Sequence, residues 1–565
     1  MRQHILATAL AAAVTALAYG QNLNPTVEVT NAYEGGASSI TKPAQQMAVP
    51  DSVMKFNLDF DYSVFEKPYQ GAYEFKPYYV QLKPTPKAST EEKLFLRLGA
   101  GYTLHPELDF VYTPLNKETY KVNVYATHGS YFGRYHQLGS LEARDGVFPL
   151  GPTGEKMKGY LADTKVGADG SYGWDGGVAS LDLGYRYRAA DDEYHYQRMG
   201  GLELSGRVRS LPSDDPHFLY DAKVDYHFYG NHVSDDYLNA VPVATSFGES
   251  AFRFDGTFGP QLSEGRRIVA NLDLQLARYS QDYAGFTGCM ALTPRYEFSW
   301  GRFDFRLGLK VSWLIYSNFT AFPQELQHKT SLPLYPDMYA DFHLLDDRLI
   351  LQAAATGGEG FTTLSGLFMT HPFTASGNYA HTRERLRAMV GARGNIASRF
   401  RYDFQAGFSH TSHNVVEGLA IYNGTYRPAI FDKGYNMLFA KLDAGWKSEW
   451  LTVDGNLTYR WTNLQGDALF APAAFTGYVR PAYNWGDRFK VGLDLALSTA
   501  RKTTYHGTEL KVPGWVDLGA FAEYRFSHHL GFWARGGNLL GQAIQRIPLH
   551  AEAGVYFTAG ILLNF

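Results

Sequence analysis

Arg302-Phe303-Asp304-Phe305-Arg306-Leu307-Gly308-Leu309-Lys310-Val311-Ser312-Trp313 is the stretch whose reading decides the fold. Its odd-numbered residues are all apolar, while the even-numbered ones are charged or small. A period of two belongs to a strand, whose successive side chains point to opposite faces of a sheet. The same pattern returns at 488–498, where Phe489, Val491, Leu493, Leu495 and Leu497 alternate with Lys490 and Asp494 among others. It returns again at 399–408, where Phe400, Tyr402, Phe404 and Phe408 alternate with Arg401 and Asp403.

A soluble β-sandwich also alternates, so length and the placement of aromatic residues separate the two cases. These segments run for about 10–14 residues, enough for a tilted membrane-crossing strand and longer than the usual soluble strand of about 5–6. Aromatic residues gather toward strand ends, as Tyr185 and Tyr187, Trp313 and Tyr316, and Tyr459 and Trp461, where interfacial girdles belong. The connectors alternate in length. Short turns fall at Asp175-Gly176-Gly177, Pro212 to Pro216, Glu264-Gly265, Asp346-Asp347, Ala397-Ser398 and Gly486-Asp487. Longer polar loops fall near 131–157, 188–198, 230–246, 317–330, 357–384, 412–434 and 464–475. Backbone groups in a bilayer must all be paired, so such a sheet closes. The expected fold is all-β: a closed antiparallel transmembrane β-barrel of about 22 strands over residues 94–565. An even count puts both ends of the barrel wall in the periplasm.

Composition agrees. The chain is 45 % hydrophobic and 15 % aromatic, with 40 Tyr, 37 Phe and 57 Gly, yet its mean hydropathy is only −0.27. Alternation dilutes apolar residues evenly, whereas membrane helices would concentrate them, and past the N-terminus no run of about 18 apolar residues occurs. With 52 basic against 56 acidic residues, the basic excess of a nucleic-acid binder is missing. The single cysteine, Cys289, excludes a disulfide framework and reads as a small residue in a strand.

Arg2 and His4 precede an apolar stretch from Ile5 to Ala18. It is too short to span and reads as a signal peptide over residues 1–20, cleaved after Ala18 or Gly20. Residues 21–93 carry Pro25, Pro43, Pro50, Pro68, Pro77, Pro84 and Pro86. Proline denies a sheet its donor, so this segment reads as a short irregular N-terminal periplasmic arm or reduced plug.

The last segment alternates Val555, Phe557, Ala559, Ile561 and Leu563 up to a terminal Phe565. That ending resembles the strand by which insertion machinery recognises outer-membrane barrels. Just before it, Gly537-Asn538-Leu539-Leu540 resembles the penultimate-strand motif of TonB-dependent receptors. The resemblance covers 94–565 in architecture and 534–565 in motif. It implies an outer-membrane barrel of a Gram-negative bacterium. The chain departs from the family in its N-terminal segment, about half the length of those receptors' plug and without a matching TonB-contacting box. That departure puts energy-coupled import in doubt.

No P-loop, nucleophile elbow or HExxH motif is present, so no enzyme is expected. His371 and His381 share the 357–384 loop with Glu359 and Glu384, without a metal-site spacing, and read as solvated. No cofactor is expected. Asp304, Arg306, Lys310, Arg401, Asp403, Lys490 and Asp494 are the candidate lumen-lining residues, read either as salt-bridge ladders or as a solute path. A lumen this wide needs something to fill it. Two functions follow: passage of a solute, gated by the arm with outer loops capturing the ligand, or a non-transporting barrel subunit of an outer-membrane complex. The partners expected are outer-membrane lipid and the insertion machinery, with a surface lipoprotein or a periplasmic protein as the partner of the second reading, and no nucleic acid.

Overall fold

The computed structural model describes residues 93–565 other than 192–194, 212–216, 236–245, 264, 282, 318–329, 372–380, 423–424 and 487. The signal peptide expected over 1–20 and the arm expected over 21–93, apart from its last residue, lie outside the described residues, as do parts of several expected turns and loops.

The strands pair antiparallel in chain order around a closed 22-strand barrel. The first, Leu94–Tyr102, hydrogen-bonds to the last, Tyr556–Asn564, in a register from Phe95↔Asn564 to Tyr102↔Phe557. The Leu94 amide donates to the Phe565 carbonyl at 2.6 Å and the Phe565 amide to the Leu94 carbonyl at 2.9 Å. Closure thus leaves no unpaired edge between first and last strand, as a sheet in lipid requires.

The two faces part as the alternation predicts. Along Phe303–Ser317, Leu307, Leu309 and Trp313 are exposed, while Lys310 and Ser312 are buried. Apolar side chains left exposed around a closed sheet form the belt that faces lipid. At the short-turn end the belt is edged by Trp174, Trp300, Trp446, Trp450 and Trp485, with Trp300 72 % and Trp485 71 % exposed. This tryptophan girdle joins the aromatic positions read from the sequence at the other end. The turn at Ala397 and Ser398 holds both residues at positive φ, 53° and 55°, the hairpin geometry whose twist matches the flanking strands.

One expected loop is a wall. Residues 131–157 read as a loop, but strands Tyr120–Ser140 and Val147–Trp174 run through them and leave only 141–146 between. The inward positions Tyr131, Tyr135 and Met157 stay buried against Ala553 and Tyr556, so the ladder has a core to continue on. The outward positions turn basic there, and this hid the alternation.

The closing seam is tight. A Cβ on Gly560 would collide with the backbone carbonyl of Leu98, and one on Gly101 with that of Phe557. Backbone cannot yield as a flexible side chain can. Gly560→Val is therefore expected to destabilise the closed barrel by about 1–3 kcal/mol, read as loss of the heat-modifiable band on a gel. An unchanged folded fraction would show that the seam has slack.

Candidate functional site

At the long-loop end the loops fold over the barrel mouth and bond to one another. Arg501–Tyr505 and Thr508–Val512 form a hairpin, whose second strand pairs parallel with Val147–Pro149 at the tip of the tall hairpin. Thr504 bridges to Asp467, and Leu469 bridges to Gly418 in a further hairpin, Val415–Tyr422 with Thr425–Asp432. The Ala468 amide donates to the Thr504 carbonyl at 2.7 Å, the Leu419 amide to the Ala468 carbonyl at 2.9 Å, and the Phe470 amide to the Glu417 carbonyl at 2.9 Å. These segments make a strap of backbone bonds, with Leu150, Leu419, Phe470, Leu510, Val512 and Leu549 as its own core. Connecting loops seldom bury backbone unless its polar groups find such partners.

A chain of charged contacts runs through the strap. His371 lies 3.1 Å from Glu417, Arg501 donates to the other oxygen of Glu417 and, at 2.9 Å, to the carbonyl of Arg546. Arg546 in turn bonds Glu552 at 2.9 Å and pairs with Asp517. Four loops are thereby tied across the mouth. Burial alone would raise the Glu417 carboxyl, but Arg501 and His371 outweigh it and hold the group below its usual range.

A second wedge enters from the loop after Ile350–Gly360. Leu364–Thr370 forms a helix capped by Thr363, whose hydroxyl accepts the Gly366 amide at 3.1 Å. Leu364 and Phe368, one turn apart, bury against Met199, Tyr229, Phe247, Cys289 and Leu314 of the barrel wall. A helix of 7 residues has no independent stability, so the wall must hold it. Glu249 accepts the Ser365 amide at 3.0 Å and the Ser365 hydroxyl, and is itself 2.7 Å from His227. Arg188 donates to the Met369 carbonyl at the other end. A carboxylate at the amino end and a guanidinium at the carboxyl end match the helix dipole.

The histidines expected to be solvated are buried instead. His371 is 4 % and His381 1 % exposed, because their loop folds inward to complete this core. The Thr362 amide donates to His381 Nδ1 at 3.0 Å, so its proton sits on Nε2, 2.7 Å from the Thr287 hydroxyl. Phe361 stacks on the ring at 4.3 Å. Burial, with Arg383 nearby, pushes the His381 imidazole down to about 3. Burial does the same to His550, down to about 3. Among the described residues no group of side chains is arranged to hold a metal ion.

The seven polar candidates alternate with the apolar residues of their strands, and the partners found for six of them lie outside the set. Asp304 is 2.9 Å from His343, Arg306 3.3 Å from Asp341, Arg401 2.8 Å from Asp454, and Asp494 3.1 Å from Arg480. Asp403 accepts from Gln405 at 3.1 Å, Lys490 lies 5.5 Å over the Phe521 ring, and Lys310 is buried. Asp341 is shared between Arg306 and Arg393, so one ladder spans strands Phe303–Ser317, Leu334–His343 and Thr382–Ile396. Phe557 and Ala559 are exposed on the apolar face of the closing strand, where Ile561 and Leu563 follow in register; Val555 precedes that strand, and Phe565 stacks on His529 at 5.1 Å. Asn538, at φ 45°, donates to the carbonyls of Gln542 at 2.8 Å and Ala553 at 3.0 Å. It pins the loop between the last two strands, with Gly537 before it under the Tyr556 ring and Leu539 and Leu540 after it. Glu249, Glu417 and Arg501 carried no local signal, since Ser365 lies 116 residues from Glu249 and Arg501 84 from Glu417; Arg546 finds Glu552 6 residues on but reaches Arg501 only across 45.

No family model matches the chain, and no curated protein matches it in sequence. In structure it is similar to the copper transporter OprC, at 12 % identity over 85 % of this chain and 81 % of that one, with a TM-score of 0.60. It is similar also to the FrpB iron transporter of Neisseria meningitidis, at 9 % identity over 85 % and 82 %, with a TM-score of 0.63. The ferric enterobactin receptor PfeA of Pseudomonas aeruginosa aligns at 10 % identity over 85 % and 81 %, with a TM-score of 0.58. At these identities the likeness is one of fold. The chain is built on the fold of these transporters and receptors, a closed 22-strand β-barrel.

Proposed function

We propose that the protein is a conduit for a solute across the outer membrane, gated at its extracellular mouth by the loop lid. The lid itself carries this reading: loops that close a wide barrel are needed only where an open one would leak. Loops 357–384 and 412–434 are the capture surface. Residues 21–93 are a periplasmic arm or reduced plug behind the lid, preceded by a signal peptide over 1–20. Asp304, Arg306, Lys310, Arg401, Asp403, Lys490 and Asp494 line the lumen, the paired ones as wall supports. Val555 to Phe565 form the segment read by the insertion machinery. The structural neighbours named for copper, iron and ferric enterobactin support solute passage of this general kind.

The buried ion chain through the lid favours a second reading, since a lid bonded this firmly also suits a barrel that never opens. That barrel would be a scaffold subunit, with a surface lipoprotein or a periplasmic protein as its partner. Conductance in a planar bilayer separates the two. The intact mature chain is expected to be closed, and a chain lacking residues 21–93 together with the lid hairpin 501–512 is expected to conduct. A barrel that stays closed after both deletions would move the scaffold reading ahead.

A further inference from the structure

The tall hairpin carries a patch that the lid does not use. Its inward residues Tyr131, Tyr135 and Met157 are buried, so the alternating residues Arg134, Lys156 and Lys158 face outward and are exposed. Arg134 stands directly opposite Lys158, and Lys156 opposite His136. Like charges opposed across an antiparallel pair repel, and no ion pair is formed by these three among the described residues. Among the described residues Glu155, next to Lys156, and Asp191, opposite Tyr160, are the acidic neighbours, and Asp192 and Glu193 follow Asp191 in the sequence.

Directly below the cations lies an aromatic shelf on the same outer face. Phe132 stacks on Tyr160 at 5.4 Å, Tyr160 meets Tyr196 at 6.5 Å, and the Arg198 guanidinium covers Tyr196 at 4.3 Å. Lower still, Val166 and Tyr172 are exposed apolar belt, down to Trp174 at the far girdle. A tilted strand needs about 9–11 residues to cross the hydrocarbon core, and Val147–Trp174 carries Tyr160 and Lys158 past that distance. The order belt, aromatic shelf, cation rim is the order hydrocarbon, interface, headgroup.

We propose that this outward face binds the phosphorylated headgroup of an outer-leaflet lipid. Phosphate oxygens sit between Arg134, Lys156 and Lys158, with Arg198 at the lower edge. Phe132, Tyr160 and Tyr196 pack against the lipid's glycerol or sugar framework, and its chains lie along the belt. The repulsion between Arg134 and Lys158 is thereby converted into a site for an anion.

The test uses the full mature chain in nanodiscs of phosphatidylethanolamine doped with lipid A, either phosphorylated or enzymatically dephosphorylated, and counts retained lipid by native mass spectrometry. The wild type is expected to retain the phosphorylated form preferentially. Arg134→Gln with Lys156→Gln and Lys158→Gln is expected to lower that retention by about tenfold or more, each surface cation contributing. Lys447→Gln, at the opposite end of the barrel, is expected to leave it unchanged. Equal retention of the two lipids by the wild type would overturn the proposal, as would undiminished retention by the triple variant. Displacement of the lipid by excess inorganic phosphate would overturn the lipid assignment too. Heat-modifiable migration confirms folding of each variant, and Lys158→Gln alone serves if the triple variant does not fold.

Discussion

Replacing Glu417 with alanine is expected to unfasten the lid while leaving the barrel closed. Glu417 is 7 % exposed and is contacted by His371 on one oxygen and Arg501 on the other. Its removal leaves the Arg501 guanidinium buried beside a small cavity lined by Val416, Tyr435 and Phe470. Breaking a buried pair from one side costs about 3–5 kcal/mol, since the surviving charge is left uncompensated. That cost falls on the lid, because Glu417 and Arg501 lie on its hairpins and not on the barrel ladder. Amide exchange at Leu419, Ala468 and Phe470, whose protons are held by lid carbonyls, is expected to accelerate by about a hundredfold or more. Amides on the Phe303–Ser317 strand are expected to keep wild-type protection. Glu417→Ala with Arg501→Ala is expected to recover part of the loss, since neither charge then remains. If the single variant exchanges at wild-type rates, the ion chain does not hold the lid.

The barrel was legible because its constraint repeats. Every strand in lipid has to alternate, so Phe303 to Trp313 and Phe489 to Leu497 announce themselves one residue at a time. Asn538 was marked in the sequence only by resemblance to a motif; the structure adds a reason for asparagine there, a residue at φ 45° that also supplies two side-chain donors to loop carbonyls. The lid had no such repeat. Glu249 meets Ser365 and Glu417 meets Arg501 only after the loops have folded across the mouth, and no local pattern encodes a contact over that separation. The same limit misread His371 and His381 as solvated. Polar residues in a long loop look like water-facing ones until the pairing that buries them is known. The tall hairpin failed in the opposite sense. Arg134 and Lys158 broke the apolar alternation, although their neighbours Tyr135 and Met157 kept the strand going on the buried side.

The lid is also expected to open in acid, through His381 and His550. Both imidazoles are held down to about 3 by burial, from an ordinary value of 6.5. A group depressed in this way leaves closure unaffected above 6.5. Below that the opened state takes up the proton and the closed state does not, so closure weakens as pH falls, down to about pH 3. Each pH unit in this window costs about 1.4 kcal/mol per histidine, hence about 2 kcal/mol for each at pH 5. Geometry gives the reason for His381. The Thr362 amide already points its proton at Nδ1, so a second proton there would set two donors against each other, with Arg383 close by. Glu417 does not counteract this window: its stabilisation is complete above the usual carboxyl value of 4.5 and is lost only as pH falls through its lowered value. Conductance, or exchange at the Leu419 amide, is therefore expected to rise between pH 7 and pH 5. His381→Gln with His550→Gln is expected to flatten that rise, because glutamine takes no proton. A pH response that survives both substitutions would place the acid sensitivity elsewhere in the lid.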